Sequence, residues 1–292
     1  MAARPADVEL RHSVKAELVE IEANDEHIDA LTGLCSAMWS SGRAGNNVTC
    51  PRSISSTKPA IEAPAATHLA NECEFRSSSH SAIAARGMVR GIAPSATLIS
   101  VGAFPLDRGT QPQMTTTFVL LRSLELSVAN GARVLTLRLA GPRDPLIERA
   151  VAAAAARDVI LIAAAGNNGD KAPPAYPAAC PEVIVVITAI DARDELYARA
   201  NRGRYIAIAA PGVDVLAPAC GNGHDLQSGT SFAAAHISGI LALRIERQPE
   251  LTAEQARRTL IASAVDLGEP GHDDAFGAGC TSAMAALRSI AK

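Results

Sequence analysis

Aromatic side chains are scarce in this 292-residue chain, which holds five Phe, three Tyr and one Trp. Hydrophobic residues still make up 48 % of it, so its core has to be built from Ala, Val, Ile and Leu, which suit helices packed closely on a buried sheet. An excess of charge of either sign is also missing: 27 Lys+Arg stand against 30 Asp+Glu, a formal net charge of −3. That balance argues against a basic nucleic-acid binder or an acidic tail, and no nucleic-acid partner is expected. The six cysteines (Cys35, Cys50, Cys73, Cys180, Cys220 and Cys280) form no CxxC pair and no zinc-like spacing, so neither a metal site nor a disulfide framework is expected. Met1 to Val19 carries charges throughout and has no apolar run of the kind a secretory signal needs. The longest uncharged stretch, Leu226 to Leu243, contains Gln227, Ser228, Thr230, Ser231, His236 and Ser238, a mixture that reads as a buried protein segment rather than a membrane span.

What is present is an alternation of strand and helix signals. Ala16 to Ala23 reads as a short strand, and Ser36 to Ser79 then loses periodicity and fills with Ser, Thr, Asn and Pro, which predicts an irregular insertion over residues 36–79. From Gly91 onward, strands are predicted at Ala96 to Val101, Arg133 to Leu139, Val159 to Ala165, Val183 to Ile190 and Tyr205 to Ala209. Helices are predicted at Thr115 to Ala129, from the Asp144-Pro145 start through Ala156, at Phe232 to Arg247, and after the capping box of Thr252 and Gln255. The pattern predicts one domain over residues 1–292 of the α/β class: a doubly wound, mostly parallel sheet with helices on both faces, in three layers.

In such a sheet the chemistry gathers at the carboxyl ends of strands and at helix N-termini. Three segments fit. Gly229-Thr230-Ser231-Phe232-Ala233-Ala234-Ala235-His236 puts a serine at the mouth of a small-residue helix, where developing negative charge is favoured; a plain helix-capping serine is the ordinary alternative. Ala163-Ala164-Ala165-Gly166-Asn167-Asn168-Gly169 follows a buried strand, so Asn167 can donate to an oxyanion or simply belong to a turn. Ser79-His80-Ser81 opens a helix that leads to Gly91-Ile92-Ala93-Pro94-Ser95-Ala96, and His80 has the chemistry of a general base or of a passive surface histidine.

Together these segments resemble the subtilisin-like serine peptidases, the subtilases. The family's serine motif is Gly-Thr-Ser-x-Ala-x-Pro-His, and Gly229 to His236 matches it except for Ala235. The separations of 87 residues from His80 to Asn167 and 64 from Asn167 to Ser231 suit compact members, and the likeness extends to Ala210-Pro211-Gly212 and Phe276-Gly277-Ala278-Gly279. The resemblance implies Ser231 as nucleophile, His80 as base and Asn167 as oxyanion donor, with Leu139, Ala140, Gly141, Ala164, Ala165 and Gly166 along the substrate cleft. It implies a peptide or protein substrate and no cofactor, and it gives His236 a structural place in the helix.

The triad acid departs from the family. Its Asp-Ser/Thr-Gly turn is absent from Leu18-Val19-Glu20-Ile21-Glu22-Ala23-Asn24-Asp25-Glu26-His27, where Glu20 is the candidate if His27 takes the place of the family's downstream His; Glu22 and Asp25 are rivals. Ser81 and Ala82 replace the family's Gly-Thr, and Arg138 stands where a serine is usual, within reach of an ion pair with Glu20 or Glu22 that would divert the acid. Two functions therefore follow from the sequence: an active serine endopeptidase, or a pseudoprotease that binds a peptide or protein partner without cutting it. A nucleotide-binding α/β protein is disfavoured, because neither GxGxxG nor a P-loop follows the first strand. With no signal peptide or propeptide ahead of that strand, a cytoplasmic chain is expected.

Overall fold

The computed structural model describes residues 17–22, 79–84, 90–103, 115–183, 185–219 and 223–288. The strands are β1 (Glu17–Glu22), β2 (Thr97–Gly102), β3 (Val134–Leu137), β4 (Ile160–Ala164), β5 (Val185–Ile190), β6 (Ile208–Pro211), β7 (Val215–Ala219), β8 (Gly223–Gln227), β9 (Ala264–Val265) and β10 (Cys280–Thr281). The helices are α1 (Ser79–Ala84), α2 (Thr117–Ala129), α3 (Pro145–Ala155), α4 (Thr230–Arg247), α5 (Ala253–Ala262) and α6 (Ala283–Arg288).

Period-two alternation sorts the core into two halves. Along β4, Ile160, Ile162 and Ala164 join the apolar cluster that contains α4, while Leu161 and Ala163 join the one that contains Leu124 of α2 and Val151 of α3. Every residue of β3, β4 and β5 is buried, as strands covered on both faces require. The result is an eight-stranded sheet in the order β2-β1-β3-β4-β5-β6-β10-β9, with β1 to β6 paired in parallel and β9 antiparallel to β10. This is the expected three-layer α/β/α arrangement. Chain order reverses between β1 and β3, where such sheets open a crevice at the carboxyl ends of their strands.

Local signals set the helix boundaries. The Asp144 carboxylate accepts from Leu146 N at 2.8 Å and caps α3, with Pro145 in its first turn. Thr252 and Gln255 form the reciprocal capping box of α5, with bonds of 3.2 and 3.0 Å. Helix α2 ends at Asn130, followed by Gly131 at φ 83°, a left-handed conformation that glycine adopts without cost.

Some boundaries move. Strand β6 begins at Ile208 rather than Tyr205, because Ile206 N bonds back to Gly203 O at 3.0 Å and holds Tyr205 in a turn. Helix α4 starts at Thr230, two residues before its apolar pattern begins. The β7–β8 hairpin, the two-residue strands β9 and β10, and α6 carry no sequence signal of their own. The insertion expected over residues 36–79 lies outside the described residues except for Ser79, which begins α1. Of the cysteines, Cys180 (buried) and Cys280 are described, and both are free thiols.

Candidate active site

Ser231 is the second residue of α4, half-buried, just past Gly229, whose extended backbone (φ 161°, ψ 157°) carries no side-chain cap. The first amides of a helix have no partner within it, so the N–H of Ser231 faces out of the helix start. Glycine is needed nearby for packing: a Cβ on Gly212 would lie 2.8 Å from Ala189 Cβ, 2.9 Å from Ala233 Cβ and 2.9 Å from Gly229 O. Gly212 O in turn accepts from Gly229 N at 2.8 Å, and this bond fixes the approach to the serine.

Asn167 follows β4 by three residues and meets α4 through Thr230. Its Oδ1 accepts from Thr230 N at 3.0 Å and from the Thr230 hydroxyl at 3.1 Å, and Gly166 N donates to that hydroxyl at 3.2 Å. With both donors on Oδ1, the NH2 group of Asn167 is turned the other way. A Cβ placed on Gly229 would sit 3.6 Å from Asn167 Nδ2, 3.8 Å from its Oδ1 and 3.9 Å from Ser231 N, so the Asn167 amide and the start of α4 lie close together at Gly229.

Of the remaining expected residues, His80 lies on α1 and Glu20 and Glu22 on β1. His80 is the second residue of α1, a helix packed on α4 and tied to the Gly91 loop by Ile92 N to Ala82 O at 3.0 Å and Ala93 N to Ile83 O at 2.8 Å. Gly91 and Gly239 keep these contacts close, since a Cβ on Gly91 would lie 2.5 Å from the Ile83 backbone and one on Gly239 2.8 Å from Ile92 Cβ. Glu20 pairs in register with Ser100 and Thr136, and Glu22, the last residue of β1, with Gly102. The Thr136 hydroxyl reaches Ser238 Oγ of α4 at 2.7 Å. The side chains of His80, Glu20 and Glu22 lie outside the described residues, as does Asp25, so the pairing expected between Arg138 and one of the glutamates does too.

A cavity of about 930 Å³ opens at Asn168, the residue after Asn167, its lining also including Ala140, Gly141, Arg143, Pro174 and Tyr176. Gly141 and Tyr176 close one wall by exchanging backbone bonds of 2.9 and 3.1 Å. Arg143 at its rim is held by Glu148, Nε to Oε1 at 2.7 Å, which raises the guanidinium above its ordinary value. Of the cleft residues expected from sequence, Ala140 and Gly141 line this cavity; Leu139, half-buried, and Ala164, Ala165 and Gly166, all buried, do not.

His236 is largely buried on α4, and desolvation pushes its pKa down to about 4, so it is neutral at pH 7. Among the described residues no cluster of His, Cys, Asp or Glu is arranged to hold a metal ion, and no helix is long and apolar enough to cross a membrane. Sequence reasoning missed Asn201, fully buried behind Asn167, because Asn201-Arg202-Gly203 has the look of ordinary turn chemistry.

Comparison with known proteins shows what the chain is similar to. The chain is 32 % identical over 192 residues to the minor extracellular protease Epr of Bacillus subtilis, covering 65 % of this chain and 29 % of that protein. It is 34 % identical over 199 residues to proprotein convertase subtilisin/kexin type 9 of Rattus norvegicus, covering 66 % of this chain and 28 % of the relative. The chain thus spans about three-tenths of the length of these curated relatives. The structure of the prenylagaramide maturation protease PagA matches with a TM-score of 0.63 and 27 % identity, over 73 % of this chain and 82 % of that one. A lanthipeptide protease shares the fold, with a TM-score of 0.62 and 23 % identity over 73 % of this chain and 74 % of that one. The expectation of a cytoplasmic chain is corrected here, since the Bacillus relative is by name an extracellular protease, which argues against that location. Family and fold together support a protease-like function in general. Because the model of the subtilase family, Peptidase_S8, matches residues 58–279, taking in His80, Asn167 and Ser231, the chain belongs to the subtilase family.

Proposed function

We propose that the chain is a serine endopeptidase acting on peptide or protein substrates, with Ser231 as nucleophile, His80 as general base and Asn167 as oxyanion donor. The observation that supports this reading best is the anchored amide of Asn167: its Oδ1 accepts from the N–H and hydroxyl of Thr230, the residue before Ser231, so its NH2 is the end left to donate. A carbonyl oxygen within reach of Asn167 Nδ2 and Ser231 N gains negative charge as Ser231 Oγ attacks its carbon, and both hydrogen bonds then strengthen. His80 takes the serine proton and returns it to the leaving amine as the C–N bond breaks; water repeats the sequence on the acyl-enzyme. The cavity at Asn168 receives the side chain on the acyl side of the scissile bond.

An acid on β1 orients His80, and Glu20 is the proposed residue. Glu22 stands closer to the carboxyl end of the strand, so Glu20→Gln and Glu22→Gln, measured side by side, decide between them.

The test is covalent labelling of the purified protein by a fluorophosphonate, read by intact mass beside Ser231→Ala. Labelling of the wild type alone supports the peptidase. Folded wild type that stays unlabelled overturns it and leaves a cleft that binds without cutting.

A further inference from the structure

The loop that carries Asn167 is stitched to a segment some thirty residues downstream. Tyr205 Oη donates to Ala165 O at 3.2 Å, Asn201 N donates to Gly166 O at 3.0 Å, Asn168 N donates to Asn201 Oδ1 at 2.8 Å, and Gly169 N donates to Arg199 O at 2.9 Å. Asn201 alone thus holds the residues on both sides of Asn167, one through its backbone and one through its side chain. It is fully buried, and its Nδ2 would lie 2.5 Å from a Cβ on residue 166, where Gly166 sits at φ 107°. A buried polar side chain in so tight a place commonly has both its position and its neighbour's identity determined by the contact.

We infer that Asn201 is a positioning residue for the oxyanion donor: it brackets the backbone of Asn167 through Gly166 O and Asn168 N, while Thr230 fixes the amide itself. This rests on the peptidase reading of the site. Thr230 anchors the Asn167 side chain through Oδ1, and without the Asn201 clamp the backbone on either side of Asn167 has two fewer hydrogen bonds to fix how the amide is presented. Displacements below an ångström suffice to weaken a preorganised donor. The two clamps come from opposite sides, α4 and the loop before β6, so the donor is held only when the sheet and both segments are assembled.

The experiment measures the second-order rate at which a fluorophosphonate labels Ser231 in the full chain, because the phosphonyl oxygen occupies the place of the oxyanion. Four proteins are compared: wild type, Asn201→Ala, Asn167→Ala and the double variant, each with a thermal melt. Asn201→Ala is expected to slow labelling about tenfold, a fraction of the two to three powers of ten that losing the donor outright costs. The double variant is expected to be no slower than Asn167→Ala, since a positioning residue has nothing left to position. Wild-type labelling rates in Asn201→Ala, or losses that multiply in the double variant, overturn the inference while leaving the peptidase standing. An unlabelled wild type overturns both. If Asn201→Ala does not fold, Asn201→Ser, which keeps a polar group in the site, is read by the same criteria.

Discussion

Thr230 and Asn167 are joined by two hydrogen bonds to a single atom: Asn167 Oδ1 accepts from Thr230 N at 3.0 Å and from Thr230 Oγ1 at 3.1 Å. The threonine hydroxyl uses a lone pair for Gly166 N at 3.2 Å, which leaves its proton for the amide oxygen. A flipped amide would set its NH2 against two donors, so the orientation that frees Nδ2 is enforced. The residue before the proposed nucleophile, Ser231, thereby aims the group proposed to stabilise the oxyanion.

Replacing Thr230 by valine keeps the shape and removes the hydroxyl. Gly166 N then loses its acceptor in a fully buried site, so stability should fall by about 1–3 kcal/mol, measured by the urea midpoint. Labelling of Ser231 by a fluorophosphonate should slow about tenfold, a fraction of what losing the oxyanion donor costs; an unchanged rate would show that Thr230 N alone orients Asn167.

Two glycines near the nucleophile should respond oppositely to alanine. Gly229→Ala meets ordinary contacts of 3.6 Å and more on an extended backbone, so its melting temperature should stay near wild type, while its methyl group crowds the Asn167 amide and Ser231 N and should slow labelling. Gly212→Ala forces contacts of 2.8–2.9 Å with Ala189, Ala233 and Gly229 O and should cost about 1–3 kcal/mol of stability. A Gly229→Ala protein labelled at the wild-type rate would show that Gly229 does not border the oxyanion site.

Gly239→Ala probes the seam between α4 and α1. Its Cβ would stand 2.8 Å from Ile92 Cβ, and Ile92 N is bonded to Ala82 O, so relief of the clash pushes on the helix that carries His80. Expected are a loss of about 1–3 kcal/mol and slower labelling; both are checked by a melt and a labelling time course on one sample.

His236 makes the fold acid-sensitive. Its folded pKa of about 4 lies below the ordinary 6.5, so between these values the unfolded chain binds the extra proton. Stability from this residue is complete above pH 6.5 and is lost as pH falls towards 4. His236→Leu should therefore lose less stability than wild type on going from pH 7 to 4.5, by about 2 kcal/mol, in paired urea titrations. Equal losses in the two proteins would mean that His236 titrates normally.

Much of the architecture was legible because each strand was announced by its own residues. Val159 to Ala165 could only be a strand buried on both faces, and β4 supplies both halves of the core. Asp144-Pro145 and Thr252-Gln255 announced helix starts that the hydrogen bonds reproduce. The edge of the sheet was not legible: β9 and β10 are two residues each and exist through pairing with partners far along the chain. Tyr205 was read as strand because it is β-prone, whereas a turn from Gly203 to Ile206 turns its hydroxyl to Ala165 O.

The candidate site divides in the same way. The amino-acid sequence by itself determined which residues are proposed for the chemistry, because a Gly-Thr-Ser start, an Asn after a buried strand and a His opening a small-residue helix are local patterns of residue type. Only the tertiary structure decided what holds them. Thr230 meets Asn167 across 63 positions and Asn201 meets Asn168 across 33, and no local propensity encodes such contacts. They arise because parallel strands deliver their carboxyl ends to one edge of the sheet, where loops distant in sequence must satisfy one another's buried polar groups.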